Sequence, residues 1–302
     1  MSERDSAVTV IIPTRGLPAR AGLLADAIES VANQQGVRAV PLVVLNGTRH
    51  SAEVRQGLRA DPRLRLIELP DEGLPAALLA GREAVDTPWF ASLDDDDELL
   101  PGALSLRIRA LVRRPEYSTV ITNGYRRNGS GDELHVLPGL SINHDPLRAL
   151  LRKNWLLPGS WLCRTDLVGA TLFEGMPRYL ECTFLGIRFS TEYRMVWLDQ
   201  PTVVYRLGSP LAESASREYL LGRVDALRGM LTLDLPEDVR NELRTRIASA
   251  YHEAADHKLA TGAVREAWRW HRASLRETGG LRYLPFTRHL LFAAWRRSPS
   301  GS

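Results

Sequence analysis

Apolar and polar positions follow two different rhythms along the first hundred residues. Val8-Thr9-Val10-Ile11-Ile12 is a β-branched run closed by Pro13, which predicts a short buried strand. Leu23, Leu24, Ala27, Ile28 and Val31 then recur at helical spacing. The apolar run over 40–45 ends at the turn pair Asn46-Gly47, and residues 52–58 return to a helical rhythm. A third strand is predicted over 64–69, followed by Pro70-Asp71-Glu72-Gly73, then a helix over 76–85 and a fourth strand over 89–93. Strands that alternate with helices build parallel βαβ units, so the pattern predicts an α/β sheet. Ligands of such sheets gather at the carboxyl ends of the strands. Those ends are Pro13-Thr14-Arg15, Asn46-Gly47 and Asp94-Asp95-Asp96-Asp97.

The third of these ends carries the strongest chemical signal. Trp89-Phe90-Ala91-Ser92 runs directly into Leu93-Asp94-Asp95-Asp96-Asp97-Glu98. Four successive carboxylates repel one another, and the mouth of a buried strand tolerates them when something positive sits there. In extended chain, alternation sends Asp94 and Asp96 to the same side. Two carboxylates on one side suit a hard divalent cation that keeps positions open for phosphate oxygens. The competing reading is a solvated acidic turn, with Asp97 or Glu98 favouring the start of the next helix. Convergence with the other two strand ends favours a site.

Beyond Pro101-Gly102 the pattern predicts a helix over 103–112, a strand over 119–127, and a loop over 129–132 leading into a hairpin strand over 134–137. Residues 145–204 are mixed. From Ser214 the rhythm is helical, over 217–231, 236–259, 264–275 and 286–295, with Pro236 in a first turn. A boundary over 209–216 divides residues 1–213 from a helical region over 214–302.

Composition narrows the class. The 302 residues, 44% hydrophobic and 25% charged, suit a soluble protein of one large domain plus an appendage. The net charge of +3 is too small to argue for a nucleic-acid partner. Lys153 and Lys258 are the only lysines; the remaining cations are Arg, whose forks suit phosphate. Cys163 and Cys182 suggest neither a disulfide nor a metal-ligand spacing, so the expected compartment is the reducing cytoplasm. Residues 1–7 are polar and read as no signal peptide, and no apolar run approaches the ~20 residues of a membrane span.

Three segments resemble the family 2 glycosyltransferases of the GT-A fold, over residues 7–215. Val8 through Ile12 with Pro13-Thr14-Arg15 resembles the opening nucleotide-binding strand. Asp94-Asp95-Asp96-Asp97, followed by Leu100-Pro101-Gly102-Ala103-Leu104, resembles the DXD segment and its trailing helix. Glu181-Cys182-Thr183-Phe184-Leu185-Gly186-Ile187-Arg188, with Val204-Tyr205-Arg206, resembles the acceptor-side segment. The resemblance implies a Rossmann-like mixed α/β sheet with a C-terminal helical extension. It implies a nucleoside-diphosphate sugar donor, Mg²⁺ or Mn²⁺, and inverting transfer to an acceptor hydroxyl on a polysaccharide, a lipid-linked sugar or a small molecule. Asp94 and Asp96 then take the DXD positions, one toward the ribose or sugar and the other on the metal, with Asp97 helping. Pro13, Thr14, Arg15, Asn46, Asp95 and Arg206 fall on the donor side. The physical need is clear: a departing diphosphate builds negative charge, which a cation stabilises as a Lewis acid without a proton.

The chain also departs from that family. The acceptor-side segment usually reads Glu-Asp, with the Asp as base; here it reads Glu181-Cys182, which leaves Glu181 as the candidate base. A structural ion pair of Glu181 with Arg188 or Arg178 is the competing reading, and Cys182 reads as a small buried filler. Leu45 and Asn46 stand where acidic residues commonly read the base, and the Asn46 amide offers either hydrogen-bond polarity to a pyrimidine. Leu78-Leu79 replace an Arg-Asn pair, leaving Arg15, Arg82 or Arg206 as phosphate partners. Trp155 and Gly159-Ser160-Trp161 fall where an acceptor pocket is built, and equally suit a core. His252 and His257 are five apart and give no helical metal pair. Trp268, Trp270, Trp295 and Arg296-Arg297 fit either an amphipathic basic surface against an anionic membrane or packing on the catalytic domain or a second copy. Rival functions are a non-catalytic nucleotide-sugar-binding protein and a nucleotidyltransferase; the latter wants a glycine-rich basic loop that Pro13-Thr14-Arg15-Gly16-Leu17 does not supply.

Overall fold

The computed structural model describes residues 7–208 and 217–295. The first β-branched run forms β1 (Ala7–Thr14), and all eight of its residues are buried. It continues two residues past the expected stop at Ile12 because of what lies beside it. Ile11 pairs with Ser92, the last residue of a neighbouring strand, so Pro13 lies beyond that partner and its missing N–H costs no ladder bond. The series continues as α1 (Ala21–Ala32), β2 (Arg38–Asn46), α2 (Ala52–Ala60), β3 (Arg65–Leu69), α3 (Leu74–Glu83) and β4 (Trp89–Ser92). Leu24, Ala27, Ile28 and Val31 of α1 are buried, as the helical spacing requires. On the other face α3 approaches closely: a Cβ at Gly81 would come within 2.4 Å of the Ile11 side chain.

Next come β5 (Glu98–Leu99), α4 (Ala103–Val112), β6 (Thr119–Asn128) and β7 (Gly131–Leu134). The hairpin closes tightly, with Asn128 opposite Gly131. Gly131 and Asp132 are therefore strand rather than loop, and the predicted strand over 134–137 begins three residues too late. The mixed stretch resolves into α5 (Pro146–Arg152), β8 (Trp161–Arg164), α6 (Glu181–Thr191) and β9 (Met195–Arg206). The sheet order is β3-β2-β1-β4-β8-β6-β9-β5, with β7 on β6. β3, β2, β1 and β4 are parallel, whereas β8 runs antiparallel to both β4 and β6. β5 pairs antiparallel with β9 at Glu98–Val204 and Leu99–Val203, and this brings the end of β9 beside the acidic run.

The described residues divide into two compact units, one of 7–176 with 181–208 and one of 177–180 with 217–295. The expected boundary over 209–216, and the Arg296-Arg297 pair, lie outside the described residues. The second unit consists of α7 (Arg217–Met230), α8 (Glu237–Ala260), α9 (Val264–Arg276), a 3-10 segment Gly280–Phe286 and α10 (Thr287–Trp295). Tyr179 belongs to this unit: its ring meets Tyr219 edge-on at 5.4 Å and leaves no room for a Cβ at Gly222. Among the described residues, no helix is long and apolar enough to cross a membrane.

Candidate active site

The acidic run is a turn. β4 ends at Ser92, and the Asp97 N–H donates to the Asp94 carbonyl at 3.1 Å, closing the chain over four residues. Strand alternation therefore does not orient Asp94 and Asp96. The turn does, and it adds Asp97: Asp94, Asp96 and Asp97 each offer a carboxylate oxygen, and these three oxygens lie within 4.8 Å of one another. The turn is anchored on both sides. Thr14, at the end of β1, donates its hydroxyl to Asp95 Oδ2 at 2.6 Å, and the Arg206 main-chain N–H donates to Asp97 Oδ1 at 2.9 Å. Asp97 is fully buried, and its other oxygen, Oδ2, has no partner.

One cation holds this turn together, and the sequence reading missed it. The Arg20 guanidinium lies 2.6 Å from Asp95 Oδ1 and 2.6 Å from Asp96 Oδ2. Arg20 closes a 3-10 turn, Pro18–Arg20, that leads away from β1. The one signal available was an arginine within a short, proline-started turn of a strand end. Even so, the positive charge is insufficient. Burial, then the charges of Asp96 and Asp95, push the Asp94 carboxyl up to about 8 against the pull of Arg20, and Glu181 adds to the push. Burial, followed by Asp94 and Asp96, also holds Asp97 well above the usual carboxylate range. Asp95 is raised too, chiefly by burial, with Arg20, the Thr14 hydroxyl and Arg15 opposing.

Glu181 begins α6, where the helix N-terminus favours a carboxylate. Its charge is felt by Asp94 and by Cys182, so the acceptor-side segment does face the acidic turn. Arg188 is not its ion-pair partner; that guanidinium pairs with Glu192 and donates to the Thr171 and Glu174 carbonyls. Cys182 is half-buried rather than sealed in the core, and burial with Asp94, Glu181 and Asp97 nearby pushes its thiol well above its ordinary value. It stays a neutral thiol.

Other expected site residues turn out to be architectural. The Asn46 side chain donates to the Thr14 carbonyl at 2.9 Å and accepts from the Gly73 N–H at 3.1 Å. It is 5% exposed, so its amide clamps strand ends instead of presenting itself to a base. Arg82 is buried under the sheet, donating to the Val168 and Thr165 carbonyls and lying over the Phe90 ring, and does not face a phosphate. Leu78 is core. Trp155 and Trp161 are fully buried: the Trp155 indole donates to the Pro146 carbonyl, and Trp161 packs against Phe90, Phe173 and Phe189. Their core reading holds and the acceptor-pocket reading does not. Arg206 turns its guanidinium to Glu98 and to the Asp96 carbonyl, and Arg15 is half-buried near Asp95.

A family model described as glycosyl transferase family 2 matches residues 9–162. No curated protein matches the sequence. Among solved structures, the crystal structure of S. aureus TarS 1-349 is similar at 15% identity and a TM-score of 0.56, covering 80% of this chain and 72% of that one. The same TarS fragment in complex with UDP-GlcNAc gives 13% identity and a TM-score of 0.56 over 82% and 73% of the two chains. Its complex with UDP gives 13% identity and a TM-score of 0.50 over 82% and 71%. At these identities the likeness is one of fold, and it agrees with the GT-A architecture expected from the sequence.

Proposed function

The chain belongs to glycosyl transferase family 2 and is a glycosyltransferase, and from that premise we propose that it moves a sugar from a nucleoside-diphosphate donor to an acceptor hydroxyl with inversion, assisted by Mg²⁺ or Mn²⁺. The observation that carries the metal part is Asp97 Oδ2, a buried carboxylate oxygen without a partner inside a trio of carboxylates. An all-oxygen, hard donor set of this kind fits Mg²⁺ or Mn²⁺, and Asp94, Asp96 and Asp97 would hold it. When bound, the cation supplies Lewis-acid stabilisation of the charge that develops on the diphosphate.

The remaining work falls to the protein's own groups. Thr14 and Arg20 fix Asp95 and Asp96, so the turn keeps its shape while its charges are exchanged. Pro13, Thr14, Arg15, Asp95 and Arg206 line the donor side, and Asn46 serves it by tying the ends of β1 and β2. Glu181 takes the proton from the acceptor hydroxyl, whose oxygen attacks the anomeric carbon opposite the leaving diphosphate. Cys182, a neutral thiol, leaves Glu181 as the carboxylate of that segment. We assign catalysis to residues 1–213 and read 214–302 as a helical extension. The TarS complexes with UDP and UDP-GlcNAc support uridine nucleotides as the first donors to test. The two free cysteines support a cytoplasmic setting.

Thermal unfolding with a panel of nucleoside diphosphates and sugar nucleotides, with and without Mn²⁺ or Mg²⁺, tests this reading. Ligand at ~100 times its dissociation constant adds about 2.7 kcal/mol, enough to move a melting curve. A shift with one base that needs metal is expected; shifts indifferent to metal would remove the acidic turn as the donor site. Glu181→Gln should lower kcat by about 10³-fold with donor affinity unchanged, and unchanged turnover would remove it as the base.

A further inference from the structure

Two adjacent residues hold a backbone conformation that their side chains disfavour. Tyr179 has a φ of 72° and Leu180 a φ of 58°, and among the described residues every other positive φ belongs to glycine. Glycine enters this left-handed region freely, whereas a tyrosine or leucine there brings its Cβ against the following carbonyl. Such a pair persists only where its surroundings over-determine it. Its place in the chain is specific: the next residue is Glu181, the first of α6. Residues 177–180 pack with the helical unit and α6 packs with the sheet unit, so the chain passes from one unit to the other at the Leu180–Glu181 bond.

Both ends of this pair are fixed. Downstream, residues 183–187 of α6 are buried, Thr183 accepts a hydrogen bond from the Asn154 amide at 3.3 Å, and a Cβ at Gly186 would come within 2.7 Å of the Leu150 side chain. Upstream, Tyr179 is buried and its ring is clamped inside the helical unit. It meets Tyr219 of α7 edge-on at 5.4 Å, the Arg223 guanidinium lies over the Tyr219 ring, and Arg223 pairs with Glu253 of α8. α7 can receive the Tyr179 ring because residue 222 is glycine; a Cβ there would come within 2.4 Å of the ring. The clamp on Tyr179 is therefore what can hold the strain, and the strained pair is what joins the clamp to α6. Relaxing the pair would change the direction in which the chain enters α6, and Glu181 would move first.

We propose that Tyr179 is a positioning residue for acceptor activation: its clamp in the helical unit holds Tyr179 and Leu180 left-handed, and so sets where α6 starts and how the Glu181 carboxylate is aimed. This role rests on Glu181 being the base, and it gives the helical extension a share in kcat. The test follows release of nucleoside diphosphate by the full chain with Mn²⁺, from the sugar nucleotide that stabilises the wild type most, with water as the acceptor. Tyr179→Ala should lower kcat by about 10²-fold while the donor KM stays within about twofold. Tyr179→Phe, which keeps the ring, should restore most of that rate. Gly222→Ala leaves Tyr179 in place but pushes on its ring, and should lower kcat in the same selective way even though alanine favours the helix at that position. In the Glu181→Gln background, Tyr179→Ala should cost nothing further, because the residue it aims is gone. A wild-type kcat in Tyr179→Ala and Gly222→Ala, a loss that falls on KM instead, or a second full loss in the Glu181→Gln background would overturn the positioning role and leave Glu181 as the base. Unchanged turnover in Glu181→Gln alone would instead remove the base, and this role with it.

Discussion

Two buried charged regions lie within fifteen residues of each other, and they are built on opposite principles. At residues 94–97 Arg20 pairs with two of four carboxylates, Asp97 keeps an oxygen without a partner, and Asp94 and Asp96 remain partly open to solvent. At Arg107, on α4, a lone cation is wholly enclosed, and burial pushes its guanidinium down to about 9. Its terminal nitrogens donate to the Gly159 and Trp161 carbonyls and to the Thr202 hydroxyl, which in turn meets Thr122. The first region has charge left over and a way in; the second has both terminal nitrogens bonded, Nε alone without a partner, and no way in. A strained, under-partnered group marks a site where it can still be reached, whereas an enclosed, bonded one marks architecture.

The largest expected effect tests the first half of that contrast. Asp96→Asn should lower kcat/KM with a nucleotide sugar by about 10³-fold, equivalent to about 4 kcal/mol of lost transition-state stabilisation. The metal-free variant should nevertheless melt close to the wild type, because relief of the push on Asp94 and Asp97 offsets the lost ion pair with Arg20. A variant that loses stability and activity together would make the turn a structural element like Arg107.

Arg107 should behave the other way. Arg107→Ala removes donors from two carbonyls and a hydroxyl and leaves a cavity, at a cost of about 3 kcal/mol in urea unfolding. Arg107→Met keeps the stem volume and should cost less. In both, the folded fraction should turn over donor near the wild-type rate. A selective fall in kcat for Arg107→Met, with stability retained, would bring Arg107 into the site.

The contrast explains how much could be read in advance. β1, β2 and β4 were legible because parallel strands buried on both faces leave apolar runs, and β3, a half-buried edge strand, because Leu64, Leu66, Ile67 and Leu69 keep its run mostly apolar; the carboxyl ends of the series located the site. The grouping of Asp94, Asp96 and Asp97 was legible in composition but not in mechanism, since a turn at Asp94 sets it and alternation does not. Arg20 was illegible because a 3-10 turn, not a periodic element, carries it to Asp95. Asn46 and Arg82 looked like ligand groups because their chemistry suits ligands; only their backbone partners reveal them as clamps. The tryptophans are decided by burial, and residues 145–204 by long-range pairing of β8 and β9 that no local pattern encodes.

Stability against pH sharpens the same contrast with two opposite slopes. Asp94 is raised from the ordinary carboxylate value to about 8, so its contribution is fully present below about 4 and is lost as pH rises through 8. His135, on the connection after β7, donates from Nε2 to the Asn154 carbonyl and is lowered by burial to about 4. The unfolded chain takes up that proton first, so the His135 contribution is complete above about 6.5 and is lost as pH falls toward 4, by roughly 3 kcal/mol. The two slopes oppose each other between about 4 and 6.5, so the stability of metal-free protein in urea unfolding should be flatter there and decline from about 6.5 to 8. Asp94→Asn should shrink that decline, and His135→Gln, whose amide can keep the carbonyl bond, should bring the fall between about 4 and 6.5 into view by removing the opposing slope. An alkaline decline unchanged by Asp94→Asn would show that Asp94 does not carry it.

The smallest effect decides where the site's edge lies. Asn46 joins the Thr14 carbonyl to the Gly73 N–H, and Thr14 in turn holds Asp95. If Asn46 is a clamp, Asn46→Ala should cost about 1 kcal/mol of stability and weaken every nucleotide diphosphate by the same small factor. If its amide reads a base after all, affinity should fall for one base and not for others, with little change in melting temperature. Because the clamp lies one hydrogen bond from Thr14 and two from Asp95, a uniform loss would show that the acidic turn depends on a side chain that does not itself touch the donor, and would place the boundary between architecture and chemistry between Asn46 and Thr14.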